Sequence, residues 1–372
     1  MRVLIVGCGL YGTTVARKLA EVGISPHIID KRNHIAGNCY SEKINNIHVH
    51  KYGPHAFHTN SKKIWEFVTN YAEFNSFKLR VLVNNNRKLY TFPVNLLTLN
   101  ELYGCLGFKE AQNLLNSFKK TDVYENFEDF VINNVGEKIY DIFYKGYTMK
   151  QWGKHPSLLP ASIAKRIPVR LSFYDYYFED LYQGIPVKGY THMFENILDH
   201  KLIKVQLGVD FFDNKEELEH DYDFIFYTGK IDEFFDYRHG LLEYRSLKFK
   251  EVVVDGTFQG NAQINYADMD VDYTRIVEHK YFHDENIQNS VITYEYPDKY
   301  EIGKIPYYPV ESDDNKNKYD KYKELSENKK KYIFGGRLGR YTYLNMDQVI
   351  GMALNDVEKF LCQNKKKKSK KL

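Results

Sequence analysis

The alternation of apolar and polar positions at the start of the chain predicts a strand, a helix and a second strand. Val3–Val6 is an apolar run without polar interruption, as is typical of a strand buried on both faces of a parallel sheet. From about Tyr11 to Val22, apolar residues recur on one side at helical spacing, which predicts an amphipathic helix. Residues 27–29 form a second apolar run that ends in Asp30. This order is that of a dinucleotide-binding unit.

The turn between the first strand and the helix has the G-x-G-x-x-G spacing at Gly7, Gly9 and Gly12. In such a turn the first glycine allows the tight bend and the second lets the backbone approach a pyrophosphate, while the third lets the helix pack close to the strand. Asp30 follows 18 residues after Gly12, where a carboxylate can accept hydrogen bonds from an adenosine ribose. The strand, turn, helix and acid together predict dinucleotide binding.

Two further turns favour FAD over NAD as the dinucleotide. A small-residue turn, Ala36-Gly37-Asn38, follows soon after Asp30; a flavin domain often places its second glycine turn here, and an ordinary surface loop is the alternative. Near the end of the chain, an apolar run over 332–334 enters Gly335-Gly336-Arg337, and a helix is predicted from about 347 to 361. Many flavoproteins close the cofactor site in this way.

The middle of the chain switches between strand-like and helical patterns. The predicted elements are a helix over 64–71, a hairpin over 77–92 with its turn at 84–86, mostly helices over 95–147, strands over 204–210 and 223–228, alternating β-formers over 244–293, and an exposed charged helix over 313–331. The run of consecutive helices predicts an inserted helical domain. The strands after residue 200 are expected to return to the first sheet.

Composition narrows the choice of partners. The formal net charge of +3 includes six lysines in the stretch 364–372, so the rest of the chain has a charge of −3, which argues against nucleic acid as the main partner. The four cysteines lack C-x-x-C spacing, so we expect neither a zinc site nor a disulfide framework, and a reducing cytoplasm fits. No run approaches the roughly 18 apolar residues of a membrane span. The lysine-rich tail is expected to be disordered.

The sequence contains none of the common catalytic motifs: no nucleophile elbow, no Ser-His-Asp arrangement and no paired carboxylates can be identified. Four histidines lie between residues 48 and 58, but no carboxylate or cysteine completes a metal shell, so no metal is expected. Arginine and aromatic residues recur instead in the stretches 145–153, 165–170, 273–275, 306–309 and 336–337. Arginine binds phosphate bidentately, and tyrosine combines a stacking ring with a hydroxyl. A site assembled from these stretches suits a nucleotide diphosphate.

Taken together, these stretches resemble the bacterial UDP-galactopyranose mutase family, from Val3 to about Leu361. The matching motifs are GCGLYG, DKRNHIAGN, HKYGPHAFHT, KGYTMKQWG, KRIPVR, QGIPVKGYT, EYRSLKF, YTRIVEHK, PYYPV and FGGRL. The resemblance implies an α/β fold with a discontinuous Rossmann-like FAD-binding domain, an inserted helical domain and an antiparallel β-sheet substrate domain. It also implies a homodimer, which together with the composition gives the expectation of a cytoplasmic homodimer without a membrane span and without nucleic acid as a partner.

The domain bounds expected from this resemblance are 1–76 with 188–230 and 332–363 for the FAD-binding domain, 95–180 for the helical domain with the dimer contacts and substrate lid, 77–94 with 231–331 for the substrate domain, and 364–372 for the disordered basic tail.

The family reaction interconverts UDP-galactopyranose and UDP-galactofuranose without net redox change and supplies galactofuranose for surface polysaccharide. In that reaction N5 of reduced FAD attacks the anomeric carbon as UDP leaves, and NADH or NADPH reduces the flavin. A cofactor that performs the covalent chemistry explains why no catalytic base stands out.

The resemblance also implies the site residues. The catalytic residues it implies are Arg166, Arg275 and His58. The substrate-binding residues are Tyr147, Thr148, Trp152, Arg166, Tyr177, Asn265, Arg275, Tyr308 and Tyr343. The cofactor-binding residues are Gly7, Gly9, Leu10, Tyr11, Gly12, Asp30, Lys31, Arg32, Gly37, Asn38, His55, Ala56, Gly336, Arg337, Asp347, Gln348 and Val349.

Three positions depart from the family pattern. Ala36 stands where the family usually has glycine, and a positive φ there would be strained. Asn345 stands where many relatives have an acid, and Leu79 stands where some have asparagine in the substrate region. The last two leave UDP-N-acetylgalactosamine open as an alternative substrate. A flavin oxidoreductase of the amine-oxidase type and a non-catalytic nucleotide-sugar binder are the other functions considered.

Overall fold

The computed structural model describes residues 1–166, 168–283 and 286–369, of which residue 166 and residues 365–369 are described by their backbone alone. The strands are β1 (Val3–Val6), β2 (Pro26–Asp30), β3 (Ser41–Ile44), β4 (Ile47–His50), β5 (Phe57–Thr59), β6 (Val81–Asn85), β7 (Lys88–Phe92), β8 (Tyr182–Gly184), β9 (Lys204–Leu207), β10 (Phe224–Tyr227), β11 (Tyr244–Asp255), β12 (Gln263–Tyr266), β13 (Arg275–Glu278), β14 (Asn289–Lys299), β15 (Tyr308–Pro309) and β16 (Tyr332–Phe334). The helices are α1 (Leu10–Glu21), α2 (Lys62–Thr69), α3 (Leu96–Tyr103), α4 (Phe108–Phe118), α5 (Phe127–Val135), α6 (Glu137–Ile139), α7 (Gly146–Trp152), α8 (Gly189–Leu198), α9 (Lys215–Asp221), α10 (Ile231–Phe234), α11 (Asp313–Glu327), α12 (Gly336–Gly339) and α13 (Met346–Ser369).

Five strands form a parallel sheet in the order β16-β10-β1-β2-β9. The central strand β1 is fully apolar because both of its faces are buried. On one face, Val3 and Ile5 pack with residues of α1, α8 and α13. On the other face, Leu4 packs with Phe211 and Phe234. The expected α/β fold with a Rossmann-like parallel sheet is confirmed, and the sheet is assembled from stretches far apart in the chain.

The second sheet has seven strands in the order β15-β11-β14-β13-β12-β6-β7. The sequence predicts an antiparallel sheet here, and every pairing is antiparallel except that of β6 with β12. The sheet is therefore mixed, because the β6–β7 hairpin comes from a distant stretch and no tight turn dictates its direction against β12. The hairpin turn is Asn86-Arg87, both with positive φ as a two-residue turn requires, whereas the predicted turn residues Asn84 and Asn85 pair within the ladder.

The stretch between β7 and β8 contains α3 to α7, with a π-helical segment over Tyr140–Lys145, so the expectation of consecutive helices is confirmed. The last helix, α13, extends beyond residue 361, where the sequence predicts its end. Residues 370–372 lie outside the described residues, and the disorder of the lysine-rich tail stays a prediction. None of the helices in the described stretches combines the length and apolar character needed to cross a membrane.

A buried polar link joins the two glycine turns. The hydroxyl of Tyr11, one residue before Gly12, donates to Oδ2 of Asp356 at 2.7 Å, and Arg340 donates to the same carboxylate at 2.6 and 2.8 Å. The Tyr11 ring also occupies the space where a side chain on Gly335 would lie, since a Cβ there would be 2.0 Å from Cζ. The start of α1 is thus fixed against the turn that precedes Arg337.

Replacing Asp356 with alanine should lower the free energy of unfolding by about 2–4 kcal/mol, because Tyr11 loses its buried acceptor and Arg340 its counter-charge. Asp356→Asn keeps an acceptor for Tyr11 and should cost less. Equilibrium urea unfolding measures both changes. A loss below about 0.5 kcal/mol for the alanine variant, the range of ordinary surface substitutions, would contradict the importance of this link.

Candidate active site

The first cavity, of about 260 Å³, lies at the carboxyl ends of the parallel strands, the edge at which α/β sheets bind ligands. Most of the predicted cofactor-binding residues meet on its wall, although they come from four separate stretches. Those lining it are Gly7, Gly9, Leu10, Tyr11, Gly12, Asp30, Lys31, Arg32, Gly37, Asn38, His55, Gly336, Arg337 and Val349.

The three glycines of the fingerprint meet different surroundings. Gly7 has φ of +107°, and a Cβ there would lie 2.0 Å from Oγ1 of Thr228. A Cβ on Gly12 would lie 2.0 Å from the Gly7 carbonyl oxygen, so both positions need glycine for the fold itself. A Cβ on Gly9 would meet only Cα of Gly37, at 3.9 Å. Gly9 is therefore free of any folding requirement for glycine and leaves its backbone open to a ligand.

The polar groups of this cavity fit a dinucleotide. The Asp30 carboxylate accepts the backbone N–H of Cys8 at 2.7 Å and that of Arg32 at 2.9 Å, and its oxygens keep acceptor capacity for a ribose hydroxyl. The Arg32 guanidinium donates from Nη2 to Asn38 at 2.9 Å and lies over the Tyr52 ring at 4.6 Å. Its buried Nη1 has no hydrogen-bond partner among the described residues. A buried, unpaired guanidinium nitrogen calls for an anionic acceptor such as a phosphate, so the residues present fit FAD.

Three predicted cofactor residues lie elsewhere. Ala56 lines a second cavity rather than the first. Asp347 and Gln348 line neither: Asp347 accepts the Thr59 hydroxyl at 3.1 Å, and Gln348 accepts the backbone N–H of Asn345 at 2.8 Å. Both side chains stabilise the start of α13 instead. The first cavity is also lined by the stretch 209–212 and by Thr228, Gly229 and Glu233, which were not predicted from the sequence. They follow the carboxyl ends of β9 and β10, and these strand ends were the signal that could have located them.

The second cavity, of about 350 Å³, adjoins the first. Asn38, His55, Arg337 and Met346 line both cavities. The predicted substrate and catalytic residues on the wall of the second are His58, Tyr147, Thr148, Trp152, Tyr177, Asn265, Arg275, Tyr308 and Tyr343. The side chain of Arg166 lies outside the described residues. A ligand in the second cavity would therefore lie directly beside one in the first.

Arg275 is a cation on the wall of the second cavity. Its Nη2 lies 2.8 Å from Oε1 of Glu295 and donates to the Tyr308 hydroxyl at 3.3 Å. Burial alone would lower the pKa of Arg275, but the attraction of Glu295 outweighs it and holds the pKa above its ordinary value. Burial raises the pKa values of Tyr147 and Tyr308 as well, so both phenols remain protonated and can donate. Glu295 itself was missed, because only the β13–β14 register places it opposite Arg275.

His55, at the boundary between the two cavities, is held in a neutral state. Its Nδ1 lies 2.8 Å from the Gly53 carbonyl oxygen, and its backbone N–H donates to His50 at 3.1 Å. Burial, followed by the charge of Arg337, lowers the pKa of His55 to about 4. A neutral imidazole here adds no positive charge to that of Arg337. Within the described residues, no group of three or more His, Cys, Asp or Glu is placed to hold a metal ion.

Part of the second cavity is apolar. Leu79 and Val83 line it with Phe92, and all three are buried. Asn345, the second departure from the family pattern that the sequence analysis considers, lies on the wall of the same cavity. The cavity therefore combines a cationic, tyrosine-rich part suited to a diphosphate with an apolar part that offers few hydrogen bonds.

Comparison with known proteins gives consistent matches. Residues 142–343 match the family profile described as UDP-galactopyranose mutase, and residues 5–71 match that of an NAD(P)-binding Rossmann-like domain. A probable UDP-galactopyranose mutase of Klebsiella pneumoniae is 41% identical, with 96% of this chain and 94% of the relative covered. A dTDP-fucopyranose mutase of Escherichia coli is 40% identical, with 98% and 99% covered. The crystal structure of a reduced UDP-galactopyranose mutase has the same fold, with a TM-score of 0.74 at 15% identity over 97% of this chain and 94% of that one.

Gly9→Ala and Gly12→Ala should separate cofactor binding from folding. Gly9→Ala should leave the stability of the FAD-free protein within about 1 kcal/mol but weaken FAD binding at least tenfold, because the methyl group would occupy the space of a pyrophosphate. Gly12→Ala should lower the free energy of unfolding by about 1–3 kcal/mol or more, because its Cβ would overlap a backbone oxygen. Flavin titration and urea unfolding measure the two effects. Wild-type FAD affinity in Gly9→Ala would contradict the placement of the cofactor.

Proposed function

Since the chain belongs to the UDP-galactopyranose mutase family, we propose that it interconverts UDP-galactopyranose and UDP-galactofuranose. In more general terms, the chain is a flavin-dependent pyranose–furanose mutase of nucleotide sugars. The choice of UDP-galactose, the requirement for reduced FAD, NADH or NADPH as the reductant, and a homodimer are parts of the proposal. The site residues implied by the resemblance take the same roles here, with Ala56 on the substrate side and with Asp347 and Gln348 acting through the start of α13.

The observation that supports this function best is the position of Arg275. A guanidinium fixed by the buried Glu295, with the Tyr308 hydroxyl beside it, lies on the wall of a cavity that adjoins the FAD cavity. Such an arrangement suits a diphosphate, because arginine and tyrosine donate charge-assisted hydrogen bonds to phosphate oxygens. The sugar would then lie between the diphosphate and the flavin.

The protein's part in the reaction is to position the substrate and to stabilise charge. Reduced FAD, when bound, would supply the electron pair that displaces UDP from the anomeric carbon. Arg275 and the protonated Tyr308 would stabilise the negative charge of the departing UDP, which is larger in the transition state than in the bound substrate. Tyr147 and Trp152, on α7, would enclose the nucleotide and exclude water.

A second candidate substrate is dTDP-fucopyranose, which the Escherichia coli relative converts according to its name. Leu79 and Val83 favour it, because both line the cavity with apolar side chains. Fucose is the 6-deoxy form of galactose, and its methyl group needs no hydrogen-bond partner, whereas a hydroxymethyl group buried against leucine would lose one. The two substrates differ at C6 of the sugar, at the base, and at the 2′-hydroxyl of the pentose, which dTDP lacks.

Reduction state provides the decisive test of the proposed function. The FAD-loaded protein, incubated with UDP-galactofuranose, should form UDP-galactopyranose after addition of dithionite and almost none while oxidised. One reduction should support many turnovers, because the reaction has no net redox change. Chromatography of the products measures both. Equal rates in the oxidised protein, or one NADH consumed per product, would favour an oxidoreductase, and binding without conversion in either state would favour a non-catalytic binder.

Leu79→Asn should change the choice between the substrates. The asparagine amide can form a hydrogen bond with the 6-hydroxyl of galactose. Against the methyl group of fucose the same amide has no partner, which costs binding free energy. The ratio of kcat/KM for UDP-galactose to kcat/KM for dTDP-fucose should therefore rise about tenfold. The matched control is Leu89→Asn, on the exposed side of the neighbouring strand β7, which should leave the ratio unchanged. UDP-N-acetylgalactosamine is included as a third substrate. An unchanged ratio in Leu79→Asn would show that Leu79 does not contact the sugar.

A further inference from the structure

His58 on the wall of the second cavity is paired with a carboxylate from a distant part of the chain. Its Nδ1 lies 2.9 Å from Oδ2 of Asp180, 122 residues further along. The imidazole ring stacks on Phe178, with ring centroids 3.6 Å apart and the planes inclined by 12°. Both side chains are mostly buried, with 11% of His58 and 21% of Asp180 exposed. Stacking on Phe178 thus fixes the plane of the imidazole ring, and the contact with Asp180 fixes which ring nitrogen faces the carboxylate.

The backbone around Asp180 is itself held in place. Gln183 donates from Nε2 to the carbonyl oxygens of Phe178 at 3.2 Å and of Asp180 at 2.8 Å. Gln183 lies opposite His58 in the β5–β8 ladder, so the same pair of strands positions the histidine and the loop that carries its partner. The Tyr174 hydroxyl also donates to the Phe178 carbonyl oxygen, at 3.0 Å. The carboxylate is therefore a fixed acceptor and not a freely rotating surface acid.

A carboxylate acceptor determines where the imidazole proton lies. Asp180 can bond Nδ1 only if that nitrogen carries the proton, and a neutral imidazole then has its lone pair on Nε2. In the described part of the chain Nε2 of His58 has no protein partner, and His58 lines the cavity. We propose that Asp180 is a positioning residue that holds His58 with its proton on Nδ1 and presents the Nε2 lone pair to the bound sugar. This inference rests on the proposed function, since it takes the ligand of the second cavity to be a sugar.

The ring contraction gives such a lone pair a use. When the pyranose opens, the ring oxygen gains a proton and becomes the 5-hydroxyl; when the furanose closes, the 4-hydroxyl loses a proton as its oxygen bonds to the anomeric carbon. The ring opens before the furanose closes, so a neutral Nε2 cannot supply the first proton, which would come from the N–H of reduced FAD. Nε2 of His58 is the atom we assign to accept the proton of the 4-hydroxyl at closure, from which it would return to the cofactor nitrogen, so that the two transfers balance.

The test uses Asp180→Asn in the FAD-loaded protein, with Asp175→Asn as the matched control. Asp175 belongs to the same loop but pairs with Arg80, at 2.9 Å, and does not line the cavity. An amide can donate to Nδ1 as readily as it can accept from it, so the tautomer preference should disappear in Asp180→Asn while the fold remains. Nitrogen-15 NMR of histidine-labelled protein, assigned with His58→Gln and recorded above the pH range in which imidazole titrates, reports the tautomer directly.

We expect a proton on Nδ1 of His58 in the wild type and in Asp175→Asn, and its loss or mixing in Asp180→Asn. The kcat of Asp180→Asn should fall about tenfold or more, as for other carboxylate–histidine pairs, with KM nearly unchanged and with partial recovery in Asp180→Glu. A wild-type proton on Nε2, or an Asp180→Asn protein with the tautomer and kcat of the control, would overturn the assignment. Wild-type protein without mutase activity would contradict the proposed function, and the NMR result would still decide the role of Asp180.

Discussion

A fully buried carboxylate must be paired, and the pairing of Glu295 with Arg275 fixes how β13 and β14 lie against each other beside the second cavity. Glu295 has no exposed surface, and among the described residues its cationic contact is Arg275, at 2.8 Å. An unpaired charge at this depth would cost several kcal/mol, so the β13–β14 register that brings the two together is strongly specified. Its other oxygen faces Gly53, where a Cβ would lie at 3.4 Å. The loop that carries His55 thus packs directly on the ion pair.

This constraint also decides the electrostatics of the site. Glu295 compensates the charge of Arg275, so the pair offers a diphosphate directed hydrogen bonds with little net charge. A bound nucleotide diphosphate would need further positive charge: Arg337 lines the same cavity, and we propose Arg166, implied by the family resemblance, as a second source, its side chain lying outside the described residues. His55 is neutral for a related reason: a positive charge on its imidazole would be repelled by the neighbouring charge of Arg337.

The parts of the structure that depend on neighbouring residues could be predicted from the sequence. The glycine spacing, the apolar strand before it and Asp30 after it are all local, and they placed the first cavity. Contacts between distant residues left no such signal: His58 and Asp180 are 122 residues apart, and neither lies in a pattern that indicates a pair. The parallel pairing of β6 with β12 is equally non-local. The proposed substrate residues could be named only through the family resemblance, since arginine and tyrosine are common in this chain.

Ala36 shows how a departure from a family pattern can leave the structure intact. Its φ is +71°, in the left-handed region that costs a residue with a side chain about 1–2 kcal/mol. The methyl group is fully buried, and burying one such group contributes about 0.8 kcal/mol. Alanine also restricts the unfolded chain more than glycine does, but at a left-handed position the strain exceeds that gain. Burial of the methyl group therefore offsets part of the strain, and the turn keeps its left-handed geometry without glycine. The next residue, Gly37, has no such freedom, because a Cβ there would lie 3.0 Å from Cα of Gly9, and this close approach of two backbones forms the wall on which the cofactor would lie.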